Sequence, residues 1–218
     1  MVDETSMPSS NDSLVVALYT TKISGLDDQH WDQCTPVSIT HQWSGEPAPQ
    51  TRHAEVRLSW NSEGLAVRFV GEQREPLVVS DQPVVESKTL GLWDRDVCEV
   101  FLAPDDINPN HYFEFEAAPT GEWIDLALQI GPGGRETEWD YKSGMKTSTR
   151  VSDDQIVICI FIPWSVRIPK PDVGDEWRAN LFRCIGSNEA TRYLAWRPTY
   201  TAEPNYHVPE AFGVLRFE

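Results

Sequence analysis

Two neighbouring segments near the middle of the chain constrain its fold most strongly. Residues 93–102 read WDRDVCEVFL, and residues 111–116 read HYFEFE. In the second segment phenylalanine alternates with Glu114 and Glu116, and side chains of a β-strand point alternately to the two faces of its sheet. The pattern therefore predicts two β-strands, the second with one apolar face and one carboxylate face.

The same alternation recurs along the chain, interrupted by turn residues. Residues 55–60 and 65–70 alternate on either side of a short polar break, which predicts a β-hairpin. Gly and Pro cluster between the other candidates, so the sequence predicts about eleven short strands and almost no helix. The remaining candidates are residues 14–19, 123–130, 145–151, 155–162, 176–184, 193–197 and 214–217.

These strands predict the fold class. A chain of 218 residues has the size of one sandwich or barrel domain, and two packed sheets accommodate this many strands. We expect an all-β, single-domain β-sandwich of jelly-roll type, built from two antiparallel sheets over residues 14–218. Residues 1–13 are expected to form a disordered or loosely attached tail. Residues 156–162 are apolar throughout, which predicts a strand covered on both sides or an edge strand beneath a loop.

Charge and hydropathy exclude several partners. The chain has 34 acidic and 18 basic residues, so its field opposes the binding of a phosphate backbone, and no nucleic acid is expected. The longest apolar run is far shorter than the roughly 20 residues of a membrane span, and no signal peptide is visible. We expect a soluble protein without a membrane partner, cytoplasmic as the sequence stands. An extracellular or periplasmic location would require that an export signal had been trimmed.

The four cysteines are widely spaced and form no CxxC pair. Three of them lie in apolar strand-like segments, which is typical of buried free thiols and agrees with a reducing compartment. The four are Cys34, Cys98, Cys159 and Cys184.

No cofactor is expected from the motifs. The chain has no nucleophile elbow, phosphate loop, HExxH motif or zinc spacing, and the GPGG of residues 131–134 predicts a hairpin turn. Oxygen ligands at Asp105, Asp106, Asn108 and Asn110 are compatible with a structural Ca²⁺. The alternative is a turn without metal, which these residue types favour.

Polar residues alternate with apolar ones in several of the predicted strands. If they adjoin in one sheet, they form a concave surface of carboxylates, guanidinium groups and an amide, which suits paired hydroxyls. The alternative is the ordinary solvated side of an antiparallel sheet. These residues are Glu55, Arg57, Arg68, Glu114, Glu116, Asp125, Arg178 and Asn180.

Tryptophan is the second indication of a ligand site. Of nine tryptophans, Trp43, Trp93 and Trp139 lie in polar or loop segments. Trp93 precedes a predicted strand beside the carboxylates, where a flat ring suits a ligand that is part CH and part hydroxyl, such as a sugar. A stacking platform needs a second aromatic ring, and the alternative is that these rings cover the core. Five others are expected in the core: Trp31, Trp60, Trp164, Trp177 and Trp196.

Four segments, in sequence order, resemble the family 9 carbohydrate-binding modules. ISGLDDQHW at residues 23–31 resembles their opening I-D-G-x-x-D-x-x-W, and residues 60–70 resemble their early hairpin. Residues 93–102 resemble their segment from Trp to Glu-x-Phe, and PEAFGVL at residues 209–215 resembles their closing P-x-x-F-G-x-L. The resemblance covers nearly the whole chain. It implies a jelly-roll sandwich that binds sugars, in a family with members attached to bacterial xylanases and grasping the reducing ends of glycans.

The resemblance also implies the ligand contacts. Two tryptophan rings hold the sugar in the family; the first matches Trp93, and the second falls on Tyr206. The carboxylate of the family's strand matches Glu99, and a binding Arg falls on Glu114, which reverses the charge. The implied ligand-binding residues are Trp93, Glu99, Glu114, Asn205, Tyr206 and His207.

Three functions remain open at this point. The first is non-catalytic binding of a mono- or oligosaccharide in polysaccharide or glycan metabolism, with no catalytic residue. The second is a glycoside hydrolase that uses paired carboxylates, since an acid and a base must lie about 5–9.5 Å apart. The third is a protein-interaction module that has lost sugar binding. The pair in the second case would come from Glu99, Glu114, Glu116 and Asp125.

Overall fold

The computed structural model describes residues 13–23, 25–104, 108–188 and 191–218. Within these residues it has strands and short 3₁₀ turns but no α-helix. The strands are β1 Leu14–Tyr19, β2 Val37–Ile39, β3 His41–Gln42, β4 Ala54–Trp60, β5 Gly64–Glu72, β6 Val97–Ala103, β7 His111–Ala117, β8 Trp123–Gly131, β9 Gly134–Glu138, β10 Lys146–Val151, β11 Gln155–Pro163, β12 Glu176–Cys184, β13 Tyr193–Ala195 and β14 Gly213–Phe217. The 3₁₀ turns are Gln29–Gln33, Gln50–Arg52, Leu92–Asp94 and Pro209–Ala211.

The strands form two sheets that pack face to face. The first sheet runs β10-β11-β5-β4, with β2 beside β4. The second runs β14-β12-β6-β7-β8-β9, with β13 beside β12 and β3 beside β13. Strand β1 joins the two sheets, because it pairs in parallel with β14 near its start and with β4 near its end. The other strand pairs are antiparallel. The predicted all-β sandwich is confirmed.

The main core lies between the two sheets. It takes Val67 and Phe69 from β5 and Ile158 from β11, and it takes Val100 from β6 and Phe115 from β7. Because side chains alternate along a strand, the residues on either side of Val100 and Phe115 point away from this core. The carboxylates of β6 and β7 therefore lie on the outer face of the second sheet.

That outer face is also covered. A second apolar cluster lies on it and includes the C-terminal residues Tyr206 and Phe212, which pack against the sheet. Glu114 and Glu116 are consequently buried, with 4% and 0% of their surface exposed. The alternative of an ordinary solvated face is wrong for these two residues. The sheet's share of this cluster includes Val97, Phe101, Tyr112, Leu126, Leu128, Phe182 and Cys184.

The outer face of the first sheet is covered by the segment that follows β1. Trp31 and Cys34 pack there with Cys159 of β11, and Phe161 lies against them. This confirms the prediction that the apolar strand of residues 156–162 is covered on both sides. All four cysteines are free and buried, as the sequence predicted.

Most strand predictions are confirmed, including the β4–β5 hairpin. The turn of residues 131–134 joins β8 to β9, with Gly131 opposite Gly134. Strands β2 and β3 were missed because they have only three and two residues. Strand β9 was missed because its sequence, GRETE, is polar and mostly exposed. The predicted tail lies outside the described residues except for Ser13.

Among the residues that the structure describes, no helix is long and apolar enough to cross a membrane.

Gly71 of β5 allows a buried arginine to approach the backbone. A Cβ atom at this position would lie 2.5 Å from Nη1 and 2.7 Å from Cζ of Arg183. We expect Gly71→Ala to lower the free energy of unfolding by about 1–3 kcal/mol, the usual cost of overpacking. Urea denaturation measures this change. Gly133→Ala is the control, since a Cβ there meets no atom within 4 Å; equal stability of the two variants would contradict the prediction.

Candidate functional site

A cavity of about 320 Å³ opens on the outer face of the second sheet. Its deeper side is acidic, because buried Glu99 and Glu114 line it, and its outer side is aromatic, because Trp93 and Trp139 line it. The structure thus brings together all six residues that the resemblance implied as ligand contacts. Their roles as contacts stay predictions. The six are Trp93, Glu99, Glu114, Asn205, Tyr206 and His207.

Strand pairing places the carboxyl groups. In the antiparallel register of β6 and β7, Glu99 lies opposite Glu116, and Phe101 lies opposite Glu114. Alternation then directs all three glutamates to the same face. Their nearest carboxylate oxygens lie within 4.8 Å of one another, and we name Glu99, Glu114 and Glu116 the acidic cluster.

The acidic cluster is poorly supplied with hydrogen-bond donors. Glu99 accepts a bond from the Cys184 thiol at 3.4 Å. Neither oxygen of Glu116, and not Oε2 of Glu114, accepts a bond from an N–H or O–H group of the described residues. Glu114 and Glu116 can form a hydrogen bond with each other when one of the two carboxyl groups is protonated and donates to the other.

Burial disfavours ionisation of the acidic cluster. It raises the pKa of Glu99 to about 8, with the nearby Glu114 adding to the effect. It also raises the pKa of Glu114, and it raises the pKa of Glu116 well above the usual range, with further increases from Glu99 and Glu114. The group therefore holds protons at neutral pH, when free glutamates would be ionised.

Trp93 and Trp139 form the aromatic side of the cavity. Their ring centroids are 6.3 Å apart, with planes at 47°, and Trp139 is 48% exposed. Trp93 lies in the 3₁₀ turn Leu92–Asp94. The buried Arg192 guanidinium donates to the carbonyl oxygens of Trp93, Asp94 and Arg95 at 3.4, 3.1 and 2.8 Å, which holds this turn in place.

Trp139 was not among the residues predicted for the site. Its sequence context identified it as a loop tryptophan, but no spacing connects residue 139 with residue 93. The β8–β9 hairpin supplies the connection, because Thr137 of β9 lines the cavity and Trp139 directly follows the end of β9.

Tyr206 is buried in the wall of the cavity. It is 8% exposed, and its ring stacks on Phe182 with centroids 3.9 Å apart and planes at 14°. Its hydroxyl donates to the Leu194 carbonyl oxygen at 3.0 Å, and burial raises its pKa. One face of the ring is therefore occupied by Phe182, and the phenol group is anchored to the backbone.

The neighbours of Tyr206 complete the wall. Burial lowers the pKa of His207 to about 3, with a further contribution from Arg135, so its ring is neutral at physiological pH. Nδ1 of His207 is 2.8 Å from the Tyr112 hydroxyl, which can donate to it. The Asn205 side chain accepts from the His207 N–H at 3.0 Å and fixes this turn.

The other polar residues do not form one concave surface with the acidic cluster. Asp125 has neighbours outside the cavity: its carboxylate meets Lys88 Nζ at 2.7 Å and accepts from the Ser143 N–H and hydroxyl at 2.6 and 2.7 Å. Arg57 and Arg68 belong to the first sheet, where they donate to the carbonyl oxygens of Trp31 and Leu26. Period 2 alone could not show which sheet or face each residue occupies.

The remaining candidates fall elsewhere in the fold. On β12, Asn180 donates to the Arg197 carbonyl oxygen at 2.8 Å and Arg178 donates to that of Phe212. Trp43 does not line the cavity; its indole donates to the Thr201 carbonyl oxygen at 3.2 Å. Asp105 and Asp106, suggested as calcium ligands, lie outside the described residues.

Three solved structures share this fold. A Bacteroides uniformis protein provisionally assigned to carbohydrate binding has a TM-score of 0.70 and 14% sequence identity, over 94% of this chain and 99% of that one. A family 9 carbohydrate-binding module from Caldicellulosiruptor kristjanssonii was solved with glucose and with cellotriose. The glucose complex has a TM-score of 0.62 and 17% identity, over 94% of this chain and 95% of that one. The cellotriose complex has a TM-score of 0.63 and 17% identity, over 94% and 93%.

Sequence comparison assigns the family. Among curated proteins, none matches this chain. Residues 84–217, which are more than half of the chain and include all six predicted contacts, match the family described as carbohydrate-binding family 9. The chain therefore belongs to carbohydrate-binding family 9.

Proposed function

We propose that this protein binds carbohydrate without catalysing a reaction, and that the sugar occupies the cavity between Trp93, Trp139 and the acidic cluster. The observation that carries the proposal is the combination, in one cavity, of partly exposed tryptophan rings with buried hydrogen-bonding carboxyl groups. Membership of carbohydrate-binding family 9 and the glucose and cellotriose complexes of a protein with this fold support it.

The chemistry of a sugar suits this arrangement. A pyranose has CH groups on its faces and hydroxyls around its edge, so its face can pack on an indole ring while its edge makes hydrogen bonds. A carboxylate accepts hydrogen bonds, and a protonated carboxyl group also donates one. Glu99 and Glu114 can therefore serve as acceptors or donors for hydroxyls.

The size of the cavity indicates a short ligand. At about 320 Å³ it lies at the lower end of the roughly 300–1,000 Å³ typical of small-molecule sites. We propose a monosaccharide, or the end unit of an oligosaccharide, as the occupant. We place this binding unit in residues 14–218 and its role in polysaccharide or glycan metabolism.

Loss of either cavity tryptophan is expected to weaken sugar binding. Ring contacts contribute about 0.5–1.5 kcal/mol beyond the area they bury, so Trp93→Ala and Trp139→Ala should each raise the Kd of a bound sugar about tenfold or more. Isothermal titration against glucose, cellobiose and other reducing mono- and disaccharides measures this. Thermal unfolding should show little change for Trp139→Ala, because that ring is 48% exposed.

Tyr200→Ala is the matched control, since Tyr200 is a 66% exposed aromatic residue outside the cavity lining. It should bind sugars as the wild type does. If Trp93→Ala loses binding and Trp139→Ala retains it, the second platform is Tyr206, as the family resemblance implied. If no sugar binds to the wild-type protein, the proposed function is wrong.

A further inference from the structure

The acidic cluster is a group of buried carboxyl groups without a matching positive group. Its three members are at most 4% exposed, and none lies within 4.0 Å of a Lys or Arg nitrogen among the described residues. Buried carboxylates are normally paired or fully hydrogen-bonded. Burial of the cluster therefore destabilises the folded protein, and the neighbouring side chains do not offset this loss of stability.

Glu116 is the member of the cluster whose burial is least compensated by neighbouring groups. It is fully buried behind the two glutamates that line the cavity, and in the described part of the chain no N–H or O–H group donates to either of its oxygens. It lies directly opposite Glu99 across β6 and β7, so ionisation of both would place like charges at cross-strand positions, which is destabilising. A residue kept for stability alone would have a donor or a cation here. Because no other described residue donates to these oxygens, they point to a positive ligand group that enters from the cavity.

We propose that the sugar bound in this cavity carries a protonated amine, and that Glu99 and Glu114 hold this ammonium group, with Glu116 behind them. The inference rests on the carbohydrate-binding function proposed above and names its ligand class, an amino sugar. An ammonium group has three donors, and Oε2 of Glu114 offers an acceptor to which no described residue donates. Trp93 and Trp139 then hold the sugar ring above the amine.

A divalent metal ion suits the site less well. Calcium takes 6–8 oxygen ligands, and magnesium takes six in near-octahedral geometry. The described residues offer three carboxyl groups here, with no further His, Cys, Asp or Glu in the group. A metal in the cluster would also leave the aromatic side of the cavity without a role.

Charged side chains near the acidic cluster shift the pKa values of its glutamates, and these pKa values determine how many protons ligand binding releases. Arg192 lowers the pKa of Glu99, Arg135 lowers that of Glu114, and Asp94 raises that of Glu116. The Arg192 guanidinium is bonded to backbone carbonyls, and Arg135 is exposed at the cavity edge.

The other titratable neighbours are uncharged at neutral pH. Burial raises the pKa of Cys184, Tyr112 and Tyr206 and lowers that of His207. A cationic ligand favours the ionised carboxylates, so its binding must release protons from the acidic cluster.

Isothermal titration at about pH 6.5 tests the proposal. The probes are glucose, N-acetylglucosamine and three amino glucoses that carry the amine at C2, C3 or C6. We expect at least one amino sugar to bind about tenfold more tightly than glucose, the scale of a charge-assisted hydrogen bond. Its binding should release about one proton, measured in buffers of different ionisation enthalpy, because the pKa of Glu99 is about 8. N-acetylglucosamine, which is uncharged, should show neither effect.

Glu114→Gln should reduce the preference for the amino sugar over glucose, because the amide replaces a carboxylate. Glu99→Gln provides the same test if the first variant is unstable. Glu203→Gln removes one acidic charge at an exposed position outside the cavity and should leave the preference unchanged. Equal loss of preference in Glu203→Gln would overturn the proposal.

Two further outcomes separate this inference from the proposed function. If glucose binds and no amino sugar binds more tightly, the amine inference is wrong and carbohydrate binding stands. If neither kind of sugar binds, both proposals are wrong. Tight binding of Ca²⁺, Mg²⁺ or Mn²⁺ alone, lost in Glu116→Gln and with no preference for amino sugars, would make the acidic cluster a metal site and overturn the inference.

Discussion

Arg183→Met is expected to destabilise the protein by at least about 3 kcal/mol, as for other losses of a buried charged group. Arg183 belongs to β12 of the second sheet and is 0% exposed. Its guanidinium donates to backbone carbonyl oxygens of Arg52, His53 and Glu72 at 3.0, 2.9 and 2.7 Å, and to Oε1 of Gln73 at 2.8 Å. These four acceptors lie just before the start of β4 and at or just after the end of β5, so one side chain joins the two sheets.

The physical reason is the loss of several bonds at once. Methionine fills a similar volume but donates nothing, and each buried acceptor left without a donor costs about 1–3 kcal/mol. Chemical denaturation measures the change in the free energy of unfolding. Arg216→Met is the matched control, because Arg216 forms an exposed ion pair with Glu176 at 2.6 Å and should cost at most about 1 kcal/mol. A similar, small loss for both variants would show that Arg183 is not a connection between the sheets.

Glu99→Gln is expected to make the protein more stable than the wild type at about pH 8. The pKa of Glu99 is about 8 in the folded protein and near 4.3 in an unfolded chain. Below the lower value both states are protonated, and the contribution of Glu99 to stability is fully present. As pH rises towards 8, the Glu99 carboxyl ionises in the unfolded state but stays protonated in the folded state. The free energy of unfolding therefore falls by up to about 1.4 kcal/mol per pH unit.

Glutamine is neutral at every pH, so the free energy of unfolding of this variant should depend less steeply on pH than that of the wild type. Its advantage over the wild type should be small near pH 4 and reach about 2 kcal/mol or more near pH 8. Some slope should remain, because the pKa values of Glu114 and Glu116 are also raised. Urea denaturation of both proteins across this pH range provides the comparison, with the exposed Glu203→Gln as the control. Parallel pH profiles for wild type and Glu99→Gln would contradict a raised pKa.

Strand prediction succeeded where the local pattern was strong. The alternation of residues 176–184 predicted β12 with the bounds that the structure has, and the apolar run of residues 155–162 predicted β11 within one residue. Strand β9 escaped prediction because polar residues carry no burial signal, and its pairing with β8 depends on the hairpin turn. Local patterns fix strands whose side chains face a core, since burial selects the residue types at those positions.

Prediction of the site depended on a different kind of information. The family resemblance named Trp93 and Tyr206, which are 113 positions apart in the chain, and both line the cavity. Asp125 was considered beside Glu114 because both alternate with apolar residues, yet their side chains lie on opposite faces of the second sheet. Trp139 was considered as a platform or a cover of the core but was not connected with Trp93, because their approach depends on the pairing of β9 with β8 at the edge of the sheet.

The sequence by itself determined the all-β class, the two faces of β7, and the burial of the four cysteines, because each follows from residue type and period along one strand. Only the tertiary structure decided what covers the carboxylate face. Contacts between Phe182 and Tyr206 and between Phe101 and Phe212 bring the C-terminal segment over it. That cover removes water from Glu99, Glu114 and Glu116, and the resulting loss of solvation raises their pKa values. Such an effect depends on the distance between residues far apart in the chain, which no local pattern records.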